Sequence, residues 1–61
     1  MHVYVEGMGM GKVVGYEDFS GVRDCIEVTE KPDHDEWRYI VRFEGKGIDL
    51  YIFQEQGKEF D

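Results

Sequence analysis

The chain has 61 residues, enough for one domain with a small core, and its 14 acidic residues outnumber 7 basic ones for a net charge of −7. Cys25 is the only cysteine and there are two histidines, which excludes an internal disulfide and leaves too few ligands for a structural zinc site. The acidity disfavours direct binding to nucleic acid or anionic membranes, whose phosphates call for a basic patch.

Taken in chain order, His2–Glu6 alternates, with Val3 and Val5 on one side and His2, Tyr4 and Glu6 on the other, and this predicts a strand. Gly7, Gly9 and Gly11 then interleave with Met8 and Met10, a pattern that predicts a bulge, a sharp bend or a close backbone approach. Lys12–Tyr16 resumes a β-type run, and Glu17-Asp18 reads as the start of a polar connection. Ser20–Glu30 carries two patterns. Val22, Cys25, Ile26 and Thr29 have helical spacing behind a possible Ser20 cap, whereas the β-branched content and alternation of Cys25–Glu30 favour a strand. Residues 31–36 form a loop broken by Pro32.

The clearest local signal is a C-terminal hairpin over 37–53. Trp37, Tyr39, Val41 and Phe43 share one face of its first strand, and Ile48, Leu50 and Ile52 one face of its second. A two-residue turn centred on Gly45-Lys46 sets Phe43 opposite Ile48, Val41 opposite Leu50 and Tyr39 opposite Ile52. The other face then pairs Arg42 with Asp49, Ile40 with Tyr51 and Arg38 with Phe53. From Gln54 the chain reads as a polar tail whose Phe60 folds back onto the core.

With no disulfide or metal to help, stability rests on packing, and a domain this small buries only about 60% of its unfolded surface. The nine aromatics supply area economically. No apolar run approaches the roughly 20 residues of a membrane span, and the N-terminus lacks a signal-peptide pattern. The expected location is the cytoplasm of a bacterium or of an infected host cell.

Motifs for chemistry are poor. Gly7–Lys12 evokes a phosphate loop, but Glu6 stands where the first glycine belongs and Val13 where magnesium needs Ser or Thr. Asp33-His34-Asp35-Glu36 gathers metal-ligand types without the glycine and distal glutamate of a calcium loop, and with a single histidine. Ser20, Cys25, His2 and His34 have no spacing that links them as nucleophile and base. The expectation is therefore no catalytic residue, no metal and no cofactor.

The order VEGMGMGKVVGY, an apolar strand, then WRYIVRFEGKGIDLYIF resembles small SH3-like β-barrels of the KOW and Tudor type over Val3–Phe53. That resemblance implies a five-stranded barrel used for binding. Its nucleic-acid role does not carry over to so acidic a chain, and no site residue transfers. The expected fold is thus mostly β, a small antiparallel sheet or SH3-like barrel of four to five strands. The alternative is α+β with one helix at about 20–30.

Two binding surfaces are predicted. Carboxylates of Asp24, Glu27, Glu30, Asp33, Asp35 and Glu36 form an acidic one, suited to a protein with a basic, nucleic-acid-binding channel. A free acidic domain of this size is similar to the compact proteins by which phages disable host factors, acting here as a nucleic-acid decoy. Ile40, Tyr51 and Phe53 are either covered by a second layer or form an apolar docking patch in a larger assembly. A homodimer is compatible with either arrangement.

Overall fold

The computed structural model describes residues 1–60. Its elements are β1 (His2–Val5), β2 (Gly9–Asp18), β3 (Ile26–Val28), β4 (Trp37–Arg42), β5 (Leu50–Ile52), a 3-10 turn (Gln54–Gln56) and β6 (Gly57–Phe60). All pairings are antiparallel, in one open sheet of order β5-β4-β2-β1-β6, with β3 also paired to β2. Among the described residues there is no α-helix, so the mostly β expectation holds and the helical alternative for 20–30 is corrected. Within that segment the alternating, β-branched Ile26–Val28 pairs with Tyr16–Asp18, which outweighs the helical spacing.

The first two strands follow their local chemistry. Val3 and Val5 are buried, while His2 and Tyr4 face outward. The turn between β1 and β2 closes with the Met8 N–H donating to Val5 O at 2.9 Å, and Gly7 and Gly9 supply positive φ there. Gly11 serves the third anticipated purpose, a close approach. A Cβ at this position would lie 2.4 Å from Val41 Cγ1.

A bulge in β2 decides the core. Val13 pairs with Val41 and Gly15 with Ile40, so Val14 is the extra residue. Since neighbouring strand residues face opposite ways, this one-residue shift brings Tyr16 to the core face and turns Glu17 outward. It also lets β2 continue to Asp18, correcting the expected polar connection at Glu17-Asp18. Tyr16, Trp37 and Tyr39 then cluster. Trp37 meets Tyr16 at 5.2 Å and Tyr39 at 4.9 Å in edge-to-face geometry, a favoured arrangement of ring quadrupoles.

The hairpin keeps the predicted register, with Tyr39 opposite Ile52, Ile40 opposite Tyr51 and Val41 opposite Leu50. Its turn differs. Lys46 N–H donates to Phe43 O at 3.1 Å, so Glu44 and Gly45 are central, and only Gly45 has positive φ (+84°). That is a type II geometry, which splays the strands it joins. The ladder therefore stops at Val41 and Leu50, and Ile48, expected opposite Phe43 on the core face, is 69% exposed.

Beyond β5 the expected polar tail is a 3-10 turn followed by β6, which pairs with β1. Gln54 Nε2 donates to the carbonyls of Asp35 (2.8 Å) and Trp37 (3.0 Å), tying the turn to the start of β4. Phe60 does not enter the core; it lies outside, opposite His2. The sheet curls until Gly57 lies against the Tyr39 ring, and the Tyr39 hydroxyl donates to Glu59. Val3, Val5, Tyr16, Trp37, Tyr39, Val41, Phe43 and Ile52 fill the interior of that curl.

Candidate functional site

The acidic surface is built on β3 and the two loops that flank it. Asp24, Glu27, Glu30, Asp33, Asp35 and Glu36 are all exposed. Their loops are fastened to the sheet through other groups. Asp18, at the end of β2, accepts hydrogen bonds from Ser20 N–H (2.9 Å) and the Ser20 hydroxyl (2.7 Å), and its other oxygen lies 2.9 Å from His34 Nε2. These donors, the Ser20 amide foremost, draw the Asp18 carboxyl down to about 2.

His34 completes the clamp. Its Nδ1 accepts the Glu36 N–H at 3.0 Å, so in the neutral ring the proton sits on Nε2 and is donated to Asp18. The hydrogen bond to Asp18 raises the affinity of the imidazole for a second proton, opposed by partial burial and by the Glu36 N–H, whose bond a proton on Nδ1 would displace. Phe19 N–H donates to Glu36 O at 3.0 Å, and Lys31 reaches across to Glu59 at 3.0 Å with its ammonium 5.3 Å from the Trp37 ring centre. The backbone of the acidic loop is thus held while its carboxylates point to solvent.

Four acids of the sheet and its turns are ion-paired. Lys31 pairs with Glu59, Arg38 with Glu17, Arg42 with Asp49 and His34 with Asp18. None of the six predicted carboxylates has a cation partner among the described residues. Glu27 instead accepts from the Tyr51 hydroxyl at 2.5 Å, which pushes the Tyr51 phenol up.

The apolar set divides. Ile40 is only 5% exposed, so its assignment to a docking patch is corrected. It forms the floor of a concavity of about 360 Å³ with Val14 and Val28, rimmed by Glu27, Arg42 and Asp49. Arg42 and Asp49 are already engaged with each other at 3.0 and 3.2 Å, as the hairpin register predicts. None of His2, Ser20, Cys25 or His34 lines this hollow. Tyr51 and Phe53 remain 43% and 46% exposed. The Arg38 guanidinium lies between the rings of Phe53 (5.1 Å) and Phe19 (5.4 Å), confirming the expected cation–aromatic neighbour. Arg38 Nη2 touches Glu17 Oε1 at 2.6 Å as an ion pair without an aligned hydrogen bond, and Arg38 Nε has no hydrogen-bond partner among the described residues.

Among the described residues, no three His, Cys, Asp or Glu side chains converge as a metal ion would require, and no helix is long and apolar enough to cross a membrane. The His34–Asp18 clamp escaped the sequence reading because its partners are 16 residues apart and on different elements. Also missed was the outer face of β6. Its lysine and phenylalanine belong to an element that does not read as a strand. No protein family, no curated protein and no solved structure matches the chain.

Proposed function

We propose that this protein is a non-enzymatic binding module that presents Asp24, Glu27, Glu30, Asp33, Asp35 and Glu36 to a basic, nucleic-acid-binding surface of another protein and occupies it as a decoy. The observation that carries the reading is the pairing pattern. Six exposed carboxylates cluster within residues 24–36, none joined to a cation among the described residues, whereas Glu17, Asp49 and Glu59 are paired and the other unpaired acids, Glu6, Glu44 and Glu55, stand apart in the chain. Charges left unneutralised on one segment make a local negative potential that steers association and renders it salt-sensitive.

The test is affinity capture from a cell lysate with the wild-type chain and with a D33K/D35K/E36K variant, followed by competition with duplex DNA. A basic partner that elutes steeply with salt, is lost on charge reversal and is displaced by DNA supports the decoy. A partner that binds both forms equally, whatever the salt, overturns it. A second reading, docking through an aromatic surface in a larger assembly, is favoured by the exposure of Tyr51 and Phe53. It predicts that Phe53→Ala abolishes capture while the charge reversals leave it intact.

A further inference from the structure

The outward face of β6-β1-β2 differs in chemistry from the acidic segment. Register places Phe60, His2 and Lys12 in one cross-strand row and Lys58, Tyr4 and Met10 in the next. Tyr4, Met10 and Phe60 are 43%, 49% and 44% exposed, whereas Val3 and Val5, on the opposite face of β1, are 0% and 6% exposed. Neighbouring side chains on one face of an antiparallel sheet lie about 5 Å apart across strands, and diagonal neighbours about 7–8 Å, so these six make one continuous patch.

No carboxylate occurs in either row. Lys12 and Lys58 have no ion-pair partner among the described residues, and the Lys58 ammonium rests 5.8 Å from the Phe60 ring centre. Aromatic and methionine side chains are enriched in the cores of protein interfaces, and methionine adapts its shape to its partner.

From this we infer that the patch is a second docking surface, separate from the acidic one, whose occupant is a protein segment with an apolar centre flanked by carboxylates. Tyr4, Met10 and Phe60 receive the apolar centre, and Lys12 and Lys58 the flanking carboxylates. A second copy of the chain meets this face poorly, because a two-fold contact sets the patch against itself and it holds no carboxylate to meet its lysines. A single-stranded nucleic acid would stack on Tyr4 and Phe60, but it carries a phosphate at every nucleotide and the patch offers only Lys12 and Lys58 to track them. The inference does not rest on the decoy reading, since it uses none of the same residues.

The test titrates 15N-labelled protein with three probes. They are a peptide with a Leu-Phe-Leu centre and paired aspartates at each end, the same peptide with lysines for the aspartates, and an oligothymidylate. The expected result is saturable amide shifts confined to β1, β6 and the first half of β2 with the aspartate peptide alone. Tyr4→Ala should weaken binding about fivefold or more, as an interface anchor does, and K12E/K58E should abolish it. D33K/D35K/E36K should leave it unchanged, so this surface and the decoy fail or survive independently. Absence of shifts in these strands, equal binding of the lysine peptide, or tighter binding of the oligothymidylate each overturns the inference. So does occupation of the face by self-association, seen as concentration-dependent shifts without any probe. Unaltered Trp37 fluorescence confirms that the variants, all at exposed positions, remain folded.

Discussion

Gly11→Ala adds one methyl group at a place with no room for it. Gly11 lies on the core side of β2, opposite Val3, and a Cβ there would stand 2.4 Å from Val41 Cγ1 and 2.8 Å from Phe43 Cε1. Val41 and Phe43 are 0% and 3% exposed and cannot swing into solvent. Gly11 has no positive φ, so the cost comes from overpacking rather than backbone strain, on the order of 1–3 kcal/mol. The sign is diagnostic, because Ala in place of Gly inside a strand ordinarily stabilises by about 0.5–1 kcal/mol. A chain of this length holds roughly 3–9 kcal/mol in total, so the loss is a large share of it. Urea denaturation followed by Trp37, the single tryptophan and 4% exposed, reads it directly. Thermal unfolding should fall by about 4–8 °C per kcal/mol lost. Val41→Ala in the same chain removes the clashing methyl, so the double variant should be more stable than the sum of the singles by about 0.5–3 kcal/mol. Gly47→Ala, with nothing within 4 Å and no positive φ, is the control and should be neutral or slightly stabilising. An unchanged midpoint for Gly11→Ala, or strict additivity with Val41→Ala, would refute the close-approach argument.

Other consequences are testable in the same way. Tyr39→Phe removes the hydroxyl that closes the curl onto Glu59 and should cost about 1–2 kcal/mol in urea, with Lys31 still holding the carboxylate; no loss would show the closure to be incidental. Gly45→Ala keeps its space but forces a side chain into φ +84°, and should lower stability by about 1–2 kcal/mol, seen in the same assay. The Asp18–His34 clamp makes stability depend on pH from both sides. Asp18 binds its proton less readily when folded, so its contribution is present above 3.8 and lost as pH falls through about 2. His34 binds its proton more readily when folded, so its contribution is present below 6.5 and lost as pH rises past its elevated folded value. The stability difference between wild type and His34→Ala should therefore shrink toward alkaline pH, and an imidazole titration by NMR should have a midpoint above 6.5 that drops in Asp18→Asn. A difference that grows with pH contradicts the clamp.

Period-two alternation made much of the fold legible. HVYV declares β1 and its buried face, and WRYIV against LYI declares the hairpin register, because one face of each strand is apolar and a one-residue slip would expose it. Arg42 with Asp49 and Arg38 over Phe53 follow from that register alone. The acidic surface was equally readable, since a run of carboxylates around Pro32 has no apolar face to bury and stays in water.

The rest depended on partners distant in the chain. KVVGY carries no local mark of which valine is extra; only pairing with β4 makes Val14 the bulge and sends Tyr16 inward. GKEF has a glycine, a lysine and a glutamate where a strand is seldom expected, and it becomes β6 because β1 offers it an open edge. Ile40 looks identical in sequence whether covered or bare, and its burial follows from the neighbouring β2 and β3. Composition and alternation thus determined by themselves that the chain is an acidic sheet protein with a C-terminal hairpin. Which outward side chains are covered, paired or left free was decided by tertiary structure, because a strand specifies its two faces locally but acquires the neighbours on them only when distant strands come together.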